Sequence, residues 1–112
     1  MLPSLVAAAR AIKIGSTVRE AQPDMGPVIT ARARPRRQQR GGRREIVCDG
    51  RGVRIADAPN GFFVGATIID QVQNEMTLGR EEVFGPVLTV IRMDDLDHAI
   101  ELANESAYGT GP

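Results

Sequence analysis

Pro86-Val87-Leu88-Thr89-Val90-Ile91-Arg92, followed by Met93-Asp94-Asp95-Leu96-Asp97-His98-Ala99-Ile100-Glu101-Leu102-Ala103-Asn104, sets a strand directly before a helix. The first seven residues are nearly continuously apolar and rich in β-branched side chains, as expected for a strand covered on both faces in a parallel sheet. In the second segment Leu96, Ala99, Ile100 and Ala103 recur at helical spacing, and Asp94 or Asp95 stands where a side-chain oxygen can cap the first turn. Strand then helix is half of a βαβ unit, so the expected fold class is α/β with an open sheet. Tyr108-Gly109-Thr110-Gly111-Pro112 then turns toward a further strand.

Moving upstream, Asn60-Gly61 is a turn ahead of the β-rich run Phe62-Phe63-Val64-Gly65-Ala66-Thr67-Ile68-Ile69. Glu45-Ile46-Val47-Cys48 reads as a short strand ending at Asp49-Gly50. In Pro23-Asp24-Met25-Gly26-Pro27 the two prolines fix φ and the glycine relaxes it, which makes a turn. Near the start, Pro3 suits a first helical turn, Leu5, Ala8, Ala9 and Ile12 share a face, and Gly15 stands where a cap would fall. That spacing predicts a helix over residues 3–13. With Arg10, Lys13 and no acid before Glu20, the same stretch shares features with a short organellar transit signal. A cytoplasmic location is the expectation, because a single Cys fits a reducing compartment, with the transit signal as the rival reading.

A chain of 112 residues allows one small domain, and its single Cys cannot form an internal disulfide. No apolar run approaches the length of a membrane span. Zero net charge hides a division: residues 1–56 carry +8 and residues 57–112 carry −8. Arg32, Arg34, Arg36, Arg37, Arg40, Arg43 and Arg44 form a run with no acid among them. Such a run could neutralise nucleic-acid phosphates. It has no aromatic to stack on a base and no accompanying nucleic-acid signature, so a solvated low-complexity insert is the preferred reading and a nucleic-acid partner is disfavoured. Thirteen Arg against one Lys also has the texture of GC-rich coding sequence translated in a shifted frame across residues 32–44.

Most catalytic constellations are missing. There is no dinucleotide-binding glycine turn, Walker loop, His-Glu-x-x-His or paired metal-ligand spacing. Cys48 lies within a strand-like run and reads as a core thiol, His98 as a helix-surface residue, and Asn104-Glu105-Ser106 as a chance match to a glycosylation acceptor. Arg80-Glu81-Glu82-Val83-Phe84-Gly85-Pro86-Val87 is different: two adjacent carboxylates and an aromatic precede a strand at a Gly-Pro turn. A carboxylate there can accept both hydroxyls of a ribose, and a phenyl ring can pack on a flat heterocycle. Chemistry alone leaves two solvated turn carboxylates as the simpler reading.

Glu81-Glu82-Val83-Phe84-Gly85-Pro86-Val87 closely resembles the Glu-Glu-(Ile/Val)-Phe-Gly-Pro-Val motif of NAD(P)-dependent aldehyde dehydrogenases. Asp24–Ile29, Asp49–Gly52, Asn60–Gly65 and Met76–Leu78 resemble the CoA-acylating branch that acts on methylmalonate and malonate semialdehydes. The resemblance implies a fragment of the open α/β catalytic domain over residues 1–112, interrupted only by the atypical Arg-rich segment 31–44. It implies Glu82 as the carboxylate holding the nicotinamide ribose and Phe84 as the ring bordering the nicotinamide, with NAD as cofactor, CoA as co-substrate and a small aldehyde as substrate. The family chemistry is thiohemiacetal formation on a Cys, hydride transfer to NAD and release of the thioester to CoA, a reaction of valine catabolism. That Cys and the cofactor-binding domain precede the part of the family that matches Leu2–Ile14, and the oligomerisation strand follows it. The expectation is therefore a truncated, poorly soluble chain with no activity of its own; the alternatives are an Arg-rich nucleic-acid-binding module and a structural or regulatory fragment that associates with aldehyde dehydrogenase subunits. Two local departures stand out: Ala66 where the family usually has Pro, and Gly79 where it has a bulkier residue.

Overall fold

A computed structural model describes residues 1–18, 22–29 and 44–108. Among these residues, three helices and three strands run in the order α1 (Leu2–Ala11), β1 (Glu45–Cys48), β2 (Thr67–Asp70), α2 (Thr77–Arg80), β3 (Val87–Thr89) and α3 (Leu96–Asn104). Apart from Arg44, the Arg-rich segment 31–44 lies outside the described residues, as do residues 109–112 of the expected C-terminal turn.

The sheet has strand order β1-β2-β3 and is mixed, with β1 antiparallel and β3 parallel to β2. The expectation of a strand buried on both faces belongs to β2, not to Pro86–Arg92. All four β2 residues are buried, whereas β3 covers only Val87–Thr89, lies at the sheet edge and is partly exposed. Sequence pattern could not tell these apart, because both runs are apolar and only the strand order decides which one is central. Of the β-rich run Phe62–Ile69, only its end enters the ladder, although Phe63 and Val64 are buried.

Ile46 pairs with Ile69 and Cys48 with Ile68, so Val47 is an extra residue that makes a bulge. The ladder then leads into a close approach of two turns. Gly65 N–H donates to Gly50 O at 2.7 Å, and Gly50 N–H donates to the buried Thr67 Oγ1 at 3.1 Å. A β-carbon on Gly50 would sit 2.0 Å from Gly65 O, so glycine is required there by space.

Ile69, Val72, Met76 and Leu78 form the core cluster, with Val83, Val87 and Ile91 packed against it. α1 rests against β1 and β2. It begins with a Pro in its first turn, as expected, but it ends at Ala11 because Ile12 is extended (ψ 123°). Gly15 is therefore no cap. It donates to Met25 O at 3.2 Å, where the Pro23–Pro27 turn docks through Ile14 and Met25. α3 is capped by Asp95, whose Oδ1 accepts from His98 N–H at 2.8 Å. Its predicted apolar face is not buried: Leu96 is 73% and Ile100 49% exposed.

Candidate functional site

The conspicuous segment Arg80–Val87 is a bridge between the short turn α2 and the edge strand β3. At its start, Glu81 N–H donates to Thr77 O at 2.8 Å, closing α2, and Arg80 Nε donates to Asn74 O at 3.1 Å. Gly79 passes so close to the Gln73–Asn74 backbone that a β-carbon would lie 2.6 Å from Gln73 O. The departure noted at this position therefore matches a local requirement of this chain. At the other end, Thr67 N–H donates to Pro86 O at 2.8 Å and fixes the segment to β2.

Between these anchors, the side chains divide between core and solvent. Val83 and Val87 pack against the core cluster, while Glu81, Glu82 and Phe84 are exposed. Two inward valines thus hold an extended stretch that presents Glu82 and Phe84 to solvent. The Glu82 carboxylate makes no hydrogen bond or ion pair among the described residues, so both oxygens are available to accept. The Phe84 ring, 84% exposed, has a free face. The chemistry of this pair fits a ribose diol and a flat heterocycle, as NAD would present them.

The other candidates separate from this segment. Cys48 is buried, and its thiol lies 3.4 Å from Ala66 O as a donor, which suits a core residue. His98 is exposed on α3. No cluster of three or more potential metal ligands occurs among the described residues. Among them too, no helix is long and apolar enough to cross a membrane.

An ion pair near the far end of β3 went unread in the sequence. Asp70 is buried at the end of β2 and accepts from Arg92 Nε at 3.2 Å and Nη2 at 2.6 Å, while its Oδ1 also accepts from Gln71 N–H at 2.8 Å. The hydrogen bonds from Arg92 hold the Asp70 carboxyl below its usual range, against an opposing push from burial. The signal was present: a carboxylate closing the apolar run Thr67-Ile68-Ile69 needs a cation, and Arg92 closes the other apolar run.

Comparison with known proteins bears on the family and the fold. The model of the "Aldehyde dehydrogenase family" matches residues 1–111. The malonate-semialdehyde dehydrogenase of Pseudomonas aeruginosa is 40% identical over 99% of this chain and 23% of its own length. The bovine mitochondrial methylmalonate-semialdehyde/malonate-semialdehyde dehydrogenase [acylating] is 40% identical over 98% of this chain and 21% of its own. Among solved structures, a putative methylmalonate-semialdehyde dehydrogenase from Sinorhizobium meliloti complexed with NAD superposes with a TM-score of 0.82 at 30% identity, over 96% of this chain and 23% of that one. The chain thus spans about a quarter of the length of the curated relatives it matches. The family model and these relatives align with nearly the whole chain, and the chain belongs to the aldehyde dehydrogenase family.

Proposed function

We propose that this chain is the part of an NAD-dependent, CoA-acylating (methyl)malonate-semialdehyde dehydrogenase that presents Glu82 to the nicotinamide ribose and Phe84 to the nicotinamide ring. The observation that carries the reading is the Arg80–Val87 bridge, where the partly buried Val83 and Val87 pack on the core cluster and the two outward side chains have chemistry suited to those groups. NAD, when bound, supplies the hydride acceptor. Glu82 contributes hydrogen-bond acceptance and orientation, and Phe84 contributes an apolar wall that keeps water from one side of the ring.

Alone, the chain is expected to turn nothing over. A charge-assisted ribose contact is worth about 1.5–3 kcal/mol, and association costs about 4–15 kcal/mol. Cys48, with its thiol inside the fold, does not supply a nucleophile. The test is spectrophotometric. The chain is assayed for NADH formation from methylmalonate semialdehyde with NAD and CoA, first alone and then co-expressed with the remainder of a relative. Activity only in the co-expressed pair, with KM for NAD raised by Glu82→Gln and not by Glu81→Gln, supports the reading. Equal effects of the two variants would overturn it.

A further inference from the structure

We infer that Asn60 is a modification site, whose side-chain amide converts without an enzyme to an aspartyl or isoaspartyl residue at a rate set by opening of the turn Ala58–Gly61. Asparagine is a chemically labile residue, and Asn60 is the one asparagine in the chain followed by glycine, whose nitrogen has no neighbouring side chain to hinder attack. The Gly61 nitrogen attacks Asn60 Cγ, a C–N bond closes a cyclic imide, and the side-chain nitrogen leaves as ammonia. Water then opens the imide at either carbonyl. One opening gives aspartate, and the other gives isoaspartate, with the backbone rerouted through the β-carbon. Water is the only reagent consumed, and nothing is oxidised or reduced.

The fold separates Asn60 from the comparable positions. Asn60 is exposed, and its side chain makes no hydrogen bond among the described residues. Asn74 Nδ2 donates to Glu105 Oε2 at 3.5 Å, and after Asn104 the Glu105 N–H is held by Glu101 O at 3.0 Å. Asp49-Gly50 could close the same imide from an acid, but Arg51 Nε donates to Asp49 Oδ1 at 2.7 Å and the Gly50 N–H is held by the buried Thr67 Oγ1 at 3.1 Å. Asn60 is gated rather than locked. Gly61 N–H donates to Ala58 O at 3.0 Å across Pro59 and Asn60, so the closed turn engages the attacking nitrogen, and attack requires that bond to open. An exposed turn is where such opening costs least. The isoaspartyl product then acts on its neighbours. A β-carbon on Gly61 would lie 2.3 Å from the Phe63 ring, and Phe62 O accepts Val28 N–H at 2.8 Å. An extra backbone carbon at residue 60 pushes Gly61 against that ring and withdraws Phe62 O, which frees the chain at Val28. Aspartate, with its backbone unchanged, does not.

The experiment holds the full 112-residue chain in mildly alkaline buffer, with and without urea, and follows it by peptide mass spectrometry that separates aspartyl from isoaspartyl forms. Conversion at Asn60 is expected in both samples, about tenfold or more slower without urea. Asn74, Asn104 and Asp49 should stay unconverted without urea over the same interval. Pro59→Ala loosens the turn and should raise the rate without urea about two- to fivefold, leaving the rate in urea nearly unchanged. Gly61→Ala is assayed only in urea, where packing on Phe63 is lost, and should slow conversion severalfold. Amide exchange at Val28 should quicken in the isoaspartyl fraction and not in Asn60→Asp. Equal rates with and without urea, no conversion without urea while the urea sample converts fully, a rate indifferent to Pro59→Ala, or unchanged Val28 exchange in the isoaspartyl fraction would overturn the proposal.

Discussion

Asp70 and Arg92 join the ends of two parallel strands through a two-point contact, Nε to Oδ1 at 3.2 Å and Nη2 to Oδ2 at 2.6 Å. The carboxylate is buried and the arginine is mostly exposed, so the pair acts as a buckle between the end of β2 and the chain leaving β3. Its folded carboxyl titrates below the unfolded value, chiefly because of the Arg92 hydrogen bonds. The stability it contributes is therefore fully present above the unfolded carboxylate pKa and is lost as pH falls through the folded one. Urea midpoints measured from neutral to strongly acidic pH should fall along that limb in the wild type and stay flatter in Asp70→Asn. Arg92→Lys should lower the neutral-pH midpoint, because an ammonium cannot reproduce the planar fork.

Gly50 and Gly65 are packed backbone to backbone, and Gly50→Ala places a methyl on Gly65 O. The loss expected is about 2 kcal/mol or more, or outright unfolding, read as a drop in the urea midpoint. Gly52, with nothing within 4 Å of the equivalent position, should tolerate alanine and serves as the control.

Ile69 contributes to the core cluster from the central strand. Ile69→Ala should cost about 2–5 kcal/mol in urea unfolding. An unchanged midpoint would mean that the cluster does not hold the sheet together.

The Asp95 cap should be visible in helicity. Asp95→Ala removes the acceptor for His98 N–H, with an expected loss of about 1 kcal/mol and a weaker far-ultraviolet helix signal. Asp94→Ala should do neither, which separates the two aspartates that the sequence left as equal candidates.

Cys48 should react slowly with a thiol reagent in the native chain and rapidly in denaturant, since it is buried and its thiol faces Ala66 O. Rapid native reaction would place the thiol at the surface.

Local chemistry made much of this legible in the sequence. An aspartate cap on α3, the β1 strand, the buried Cys48 and the outward Glu82 follow from residue type and short-range spacing, though the choice of Asp95 over Asp94 does not. What escaped depends on neighbours distant in the chain. Apolar continuity did not reveal that β2 is central and β3 peripheral, since strand order is a tertiary property. The helical spacing of Leu96 and Ile100 was real, but periodicity states which residues share a face and not whether anything covers it. The one-turn α2 lacks the length for a periodic signal, and the Gly79 within it has low helix propensity.

The bulge at Val47 has a consequence for how β1 can change. Residues two apart in a regular strand share a face, yet Ile46 and Cys48 oppose Ile69 and Ile68, whose side chains point to opposite faces. Val47 supplies the half-period that makes this facing consistent. Deleting Val47 would leave Ile46 opposite Ile69 and Cys48 opposite Ile68 in an unbroken ladder. Deleting Ile46 or Cys48 would also close the ladder, but with Val47 in the vacated place, so Val47 is the position in β1 where the chain can shorten by one residue and keep both native pairs.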